Sequence, residues 1–430
     1  MKDWFSGIRC LAVHACRFVC GHHWSCVALL ISFGAGFGAV GFGYAQATAP
    51  NTVASGTKLY LRLETAVSTE SSHLNQAVSA HAVREVTSSQ GVLVPLGAEV
   101  TGSIAKLIPT SDPTDHARML IVFNQLTIAG HPAAKLAAHF AEVENARETV
   151  LADGTIQGVL EKDAAVGRMD GLLDKLGSPG STMERMSGKT LGKPDTAIEY
   201  PVGTDFVLVL DQPLTVDSTS PPAVAGEISK PASAALQAML AEAPSRVQSK
   251  TKKPGDPLNL VIVGSADQIL NAFKTAGWGA AKKLGTHSAV DTVRAMASDE
   301  GYEAAPVSEL YLFGRVEDFA FEKTLNTFWK RHHLRLWRIT TTTADGRQVW
   351  LGASTHDIGL DIHPGVISHE IDTDLDAERA KVGADLAAAG AVSAEQLVTR
   401  PNPLSTGKTA TGGTWTTDGK MLAIELKTNP

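Results

Sequence analysis

From Thr57 onward apolar and polar residues alternate with a period of two. Lys58-Leu59-Tyr60-Leu61-Arg62-Leu63-Glu64 puts three leucines on one face of a strand and the polar residues on the other. Similar runs follow at 77–86, 92–94, 99–106, 118–128 and 133–143, with turn signals at Gln90-Gly91, Pro95-Leu96-Gly97 and Ala129-Gly130. Short, evenly spaced strands without long helical stripes predict an antiparallel sandwich or small barrel. The pattern lapses across 144–200, an irregular insertion in which only Ala164–Leu176 has helical spacing. Gly203–Leu210 then resumes the alternation and is expected to close the sheet, so the β-rich, barrel-like domain is read as 57–216. Residues 217–255, with Pro221, Pro222, Pro231 and Pro244, read as a Pro-rich linker holding one short helix at Ala232–Ala243.

Beyond the linker the pattern changes. Leu258–Val263 is a continuous apolar run, expected of a strand buried on both faces. Ser265 and Gln268 form a capping-box signature ahead of a stripe of Ile269, Leu270 and Phe273. Another helix is predicted over Ser288–Ser298, and strands over 310–313, 334–341, 349–355 and 366–371. Leu375–Ala389 reads as a helix opened by Asp372, Asp374 and Asp376 and closed by Gly390. Trp415–Leu426, with Asp418-Gly419 at its centre, reads as a hairpin. The alternation of elements predicts an α+β layered domain over 256–430, with a mixed or antiparallel sheet. Tyr311, Phe313, Phe319 and Phe321 are expected in its core.

The N-terminus differs from both. Lys2, Arg9 and Arg17 precede an uncharged run at 27–43 and then Ala45-Gln46-Ala47, which together describe a signal peptide over 1–47 cleaved after Ala47. An uncleaved inner-membrane anchor through 27–43 is the alternative, and 48–56 is a polar leader. Gly36, Gly38 and Gly41 have the spacing of a dinucleotide loop but lack the strand before it and the acidic residue after it. Cys10, Cys16, Cys20 and Cys26 all fall in this segment, so the mature chain carries no cysteine, as suits a periplasmic protein stabilised by burial alone. With 38 Lys and Arg against 45 Asp and Glu, the net charge is −7. Losing three cations and one acid with 1–47 makes the mature chain more negative still. No basic surplus is present for phosphate contacts, so nucleic acid is excluded as a partner. The basic run Lys250, Lys252, Lys253 reads as solvated surface, with a membrane-surface contact as the sharper alternative.

Two resemblances follow from particular residues. Gly56-Thr57, Val94-Pro95-Leu96-Gly97-Ala98, Gly102 and Arg118 resemble, at the level of fold, the periplasmic β-barrel of conjugation-type secretion-channel proteins over about 56–215, with Ala98 where that family usually has Ser. Asn259–Gly264, Pro306–Arg315, Arg331–Arg338 and Ile371–Arg379 resemble the LssY C-terminal domain family over about 258–392. That resemblance implies an envelope-associated module, one that handles lipid phosphates in some settings, and supplies no catalytic mechanism.

The candidate chemistry lies in one predicted hairpin. Arg331–Thr341 and Arg347–Asp357 are joined through Ala344-Asp345-Gly346. Pairing Ala344 with Arg347 sets Arg335 opposite His356 and gathers His333, Arg335, Trp337, His356 and Trp350 on one face. Arginine with two imidazoles suits a phosphate, so His333, Arg335 and His356 are the candidate catalytic residues. The competing reading is amphipathic packing with hydrogen-bonded polar tips. Arg315, His332, Trp337 and Arg338 complete the candidate binding set. His369 with Asp372, Asp374 and Asp376 is a weak metal candidate, because Ala377 and Gly383 stand where a calcium loop needs Gly and Glu. Helix capping accounts for these acids better. No cofactor is expected, and a divalent metal enters only under a hydrolase reading. Gly-x-Ser-x-Gly, His-Glu-x-x-His and phosphate-loop motifs are missing. The chain therefore reads as an exported, periplasmic or envelope binding or assembly module for a lipid, glycan or protein partner, with membrane association in view. The alternative is a phosphoester or lipid-phosphate hydrolase.

Overall fold

The computed structural model describes residues 51–428 apart from 111, 113, 161–195, 218, 225, 282–308, 328, 364–365 and 410–411. The export segment and the helices expected at 164–176 and 288–298 lie outside the described residues.

The period-two runs form a nine-stranded, nearly closed barrel sheet. Its main strands are β1 (Lys58–Leu63), β2 (Ala77–Ala82), β3 (Glu99–Ile108), β4 (Arg118–Thr127), β5 (Ala138–Val143) and β6 (Asp205–Leu210). Their order is β5-β6-β1-β2-β3-β4, and Ile156–Gln157 continues the sheet on β4. β6 returns after the insertion to pair with both β1 and β5, as the resumed alternation predicts. Leu59, Leu61 and Leu63 point inward, where Phe123, Phe140 and Phe206 pack ring to ring at 4.8–5.9 Å between centroids. At Gly102 the register between β3 and β4 shifts, and the strands approach so closely that a Cβ would lie 2.1 Å from the Val122 carbonyl oxygen. Only glycine fits there.

The second lobe is an eight-stranded mixed sheet. It contains β7 (Leu260–Val263), β8 (Phe319–Lys323), β9 (Arg331–Thr342), β10 (Gln348–His363), β11 (Val366–Ile371), β12 (Val392–Thr399) and β13 (Lys420–Leu426). The order runs β8-β9-β10-β7-β13-β12, with Gly279–Ala280 outside β8 and β11 on the far half of β10. Only β7 and β13 pair in parallel among these strands. All four residues of β7 are buried, because helices cover both faces. On one face α1 (Lys230–Glu242) sets Leu236 and Met239 against Val261, Trp337 and Leu351. On the other, α2 (Ala266–Thr275) and α3 (Leu375–Ala388) set Phe273 and Leu386 against Ile262, Leu334 and Trp350. α2 opens with the expected reciprocal Ser265–Gln268 capping box. α3 opens on Asp374, whose carboxylate accepts from the backbone N–H of Asp376 and Ala377.

Residues 217–255, read as a linker, contribute α1 and the paired strands Arg246–Ser249 and Pro254–Pro257, with Val247 fully buried. Two expectations need correction. Trp415 and the Lys420–Leu426 strand do not form a hairpin: Thr414–Thr416 pairs with Thr406–Lys408, while β13 pairs with β12 and β7. The turn between them is instead pinned to α3, because Asp376 accepts from the Thr417 hydroxyl and the Asp418 N–H and Asp418 binds Arg379. Phe313 is not in the core. It occupies a turn at φ 52° and is 59% exposed. No helix of the described residues is long and apolar enough to cross a membrane.

The two lobes share one compact unit, yet their apolar cores stay separate. The barrel core draws on 53–216, and among the described residues Leu325 packs against it from the C-terminal lobe. We expect Gly102→Ala to lower stability by about 2–4 kcal/mol, through forced separation of β3 from β4. Urea unfolding of the variant beside the parent checks this.

Candidate functional site

The seam between the lobes is polar and buried. Arg62 on the outer face of β1 donates from Nε and Nη2 to Asp205 at 2.7 and 3.0 Å, and from Nη2 to Asp385 of α3 at 3.1 Å. Lys323, ending β8, donates to Asp205 at 2.5 Å and to Asp385 at 3.1 Å. Lys381, one turn before Asp385 on α3, reaches Asp205 at 2.8 Å, Asp385 at 2.9 Å and Glu144 at 3.0 Å. The Trp278 indole N–H adds a bond to Asp385 at 2.9 Å. Glu378, Lys381 and Asp385 share one face of α3 through their spacing of three and four. Burial alone would raise the pKa of Asp205, but Lys381, Lys323 and Arg62 outweigh it and hold the carboxyl well below its usual range.

The same seam holds two stacked imidazoles. His332 and His356 lie face to face across β9 and β10, with centroids 4.1 Å apart. His332 Nδ1 donates to Glu378 at 2.6 Å, and its Nε2 faces Glu144 at 3.6 Å. Burial disfavours the imidazolium, but Glu378 and Glu144 prevail and raise the His332 pKa to about 9. His356 donates from Nε2 to Asn145 at 2.9 Å, while burial and the neighbouring His332 charge push its pKa down to about 2. Asn145 in turn donates to the Lys323 carbonyl at 3.1 Å. A second station lies beside it: Asn326 donates to Glu148 at 3.0 and 2.8 Å and accepts the Arg147 N–H at 2.9 Å.

His332, His356 and Glu378 place one ligand-type atom each within 4.8 Å of the others. Imidazole lone pairs lie in the ring plane, so two rings stacked face to face do not both aim at one ion. The geometry fits a charged ring resting on a neutral one.

The predicted His/Arg face is redistributed. The turn is a three-residue loop, with Thr343 paired to Arg347 and Gly346 at φ 84°, one residue off the expected closure. A further irregularity between Arg338 and Thr342 shifts the register by two more residues, so the total offset of three remains odd. Arg335 therefore stands opposite Ala353, and His356 opposite His332. His333, Arg335 and Trp337 lie on one face of the ribbon; His356 and Trp350 lie on the other.

On the first face the structure gathers a second buried cluster. His333 Nε2 donates to Asp357 at 3.0 Å, and Arg331 donates to Asp357 at 3.1 Å and Glu322 at 3.2 Å. Arg335 reaches the His333 Nδ1 at 3.4 Å, and His369 Nδ1 lies 3.4 Å from Asp357. Arg331, His333 and Arg335 are all under 9% exposed. Trp337 is fully buried and donates to the Arg315 carbonyl, while Arg315 pairs with Asp318 at 2.7 Å and Arg338 is exposed. Asp372 accepts the Asp374 N–H, Asp374 caps α3, and Asp376 ties down 417–418, so these acids and His369 do not converge.

Sequence reasoning missed Arg62, Glu144, Asn145, Asp205, Lys323, Glu378, Lys381 and Asp385. The one available signal was the helical spacing of Glu378, Lys381 and Asp385 in a helix that otherwise reads as small and apolar.

Residues 240–421 match the family model described as the LssY C-terminus, spanning the resemblance read from 258–392. A solved structure of ComB10 of the Com type IV secretion system of Helicobacter pylori is similar at 12% identity, covering 39% of this chain and 92% of that one. Its TM-score of 0.23 is too low to carry an argument. No curated protein matches the chain.

The two histidines give stability a defined pH profile. His332 has its folded pKa above the unfolded value near 6.5, so its contribution is complete below that pH and is lost as pH rises through about 9. His356 has its folded pKa below 6.5, so stability falls as acid protonates the unfolded chain. Urea unfolding across pH is expected to peak near 6.5, with an alkaline limb of roughly 3 kcal/mol that His332→Gln flattens. At constant pH, Asp385→Asn is expected to cost about 3–5 kcal/mol, because Arg62, Lys323 and Lys381 lose a shared buried counter-charge.

Proposed function

We propose that this chain is an exported cell-envelope module that binds or scaffolds a lipid, glycan or protein partner, and that its buried histidines and arginines hold the fold together. The observation that carries the reading is the engagement of those groups. His333, Arg335, Arg331 and Asp357 bind one another inside one face of the ribbon, and His332 and His356 bind Glu378 and Asn145 inside the other. A phosphate grip needs its guanidinium donors turned toward an accessible ligand, and these are turned toward protein acceptors. Export is supported by the basic–apolar–Ala-x-Ala text of residues 1–47 and by the confinement of cysteine to it. The match to the LssY C-terminus supports an envelope setting.

Two measurements test this. The mass of the mature chain isolated from cell envelopes is expected to place its first residue at Thr48; a chain still beginning at Met1 contradicts cleavage. Assayed with p-nitrophenyl phosphate and with phosphatidic acid, with and without Mg²⁺, Mn²⁺ or Zn²⁺, the full chain is expected to release no phosphate above the blank. Turnover that disappears in both His333→Ala and His356→Ala, with folding retained, establishes the hydrolase instead.

A further inference from the structure

A cleft of about 400 Å³ opens between the lobes, away from both histidine clusters. Leu397 and Leu422 form its floor, α3 one wall, and the barrel loop Val83–Glu85 the other. Gly383 lets α3 lie close against this floor: a Cβ there would lie 2.6 Å from Leu422 Cδ2 and 3.3 Å from Glu395 Oε2.

β12 runs along this cleft as the last strand of its sheet. It bonds to β13 on one side and, among the described residues, to no strand on the other. An outer strand of eight residues exposes a row of backbone donors and acceptors, and Leu397 on it is 47% exposed.

The charges facing the cleft do not balance. Of its two arginines, Arg379 is neutralised by Asp376 and Asp418, and Arg84 keeps its charge but is drawn over the Tyr60 ring at 3.8 Å, so one cation stands against two carboxylates. Glu85, whose Oε1 accepts the Ala223 N–H at 2.9 Å, lines it from the barrel loop, and Glu395 lines it from β12 beside Leu397. Burial and the charge of Glu85 push the Glu395 carboxyl up, and its Oε2 has no hydrogen-bond partner. The spare charge of the cleft is negative.

We propose that the cleft receives an extended segment of a partner protein, added as a strand to the open edge of β12, with a Lys or Arg side chain seated between Glu85 and Glu395. Backbone pairing supplies affinity in this mode and the side-chain pockets supply selectivity. An amine-headed lipid answers the carboxylates but leaves the strand edge unpaired. A second copy of the chain brings another Glu395 to a groove already negative. The inference rests on the reading of the chain as a binding module and names its partner chemistry.

Fluorescence anisotropy of the mature chain tests it with two short labelled peptides, one alternating valine and lysine and the other valine and glutamate. Vesicles of phosphatidylcholine and phosphatidylethanolamine form the lipid arm. Saturable binding of the basic peptide alone is expected, with hydrogen-exchange protection appearing in 392–399. Glu395→Gln is expected to weaken it about tenfold and Leu397→Lys at least as much. Both positions are partly exposed, and an unchanged melting temperature shows that the variants fold. Equal binding of the two peptides, affinity unchanged in both variants, or vesicle binding without protection of β12 overturns the proposal. Absence of any peptide binding also overturns it, while the phosphate-release assay separately decides the broader reading.

Discussion

Everything at the seam follows from the cost of burying charge. Asp205 and Asp385 lie side by side out of water, and each is stable there only because Arg62, Lys323 and Lys381 reach both. With Glu144, Glu378 and a protonated His332 included, four carboxylates meet four cations. Such a network adds little net stability over an apolar seam, yet it is very costly to break or misalign. The barrel and the second sheet have separate apolar cores, so hydrophobic burial alone leaves their mutual placement loosely determined. Charge matching narrows it to one docking geometry, in which the strands of one lobe present what the helix of the other lacks.

That arrangement explains what could be read from the text and what could not. The barrel strands were legible because one face of each packs on a core, and a period of two records this directly. The buried β7 and the α2 capping box were legible for the same local reason. Arg62 was not. It sits at a polar position of a strand with a clean alternation and therefore reads as solvated, whereas the outer face of β1 is covered by a helix 323 residues away in sequence. Asp205 at a strand start and Lys323 at a strand end likewise look like ordinary boundary residues. Local patterns report that a residue is outside its own core; they do not report that another core lies against it.

The β9–β10 ribbon shows a sharper limit. The strands and the loop were identified, but facing residues depend on the exact closure of the turn. The loop takes three residues because Gly346 accepts a positive φ and Asp345 binds both Thr343 and Arg347. Together with the irregularity near Thr342, the odd offset moves His356 from the side of Arg335 to the side of His332. Both sides are buried, so hydrophobic patterning gave no warning: one face carries Arg331, His333 and Arg335 before Trp337, and the other carries His332 before Leu334 and Leu336.

Placing His356 beside His332 has its own chemical consequence. Two imidazolium rings in contact in a buried site repel, so only one is charged, and the two glutamates select His332. His356 is then neutral. The Lys323 carbonyl can only accept, so the Asn145 amide must turn its nitrogen toward that carbonyl and its oxygen toward His356. The single proton of His356 is thereby fixed on Nε2. Asn145 holds its own backbone at φ 57°, a conformation asparagine tolerates better than most residues. One protonation choice at the ribbon thus propagates through an amide to the loop 144–148, and it seats that loop against the sheet of the other lobe.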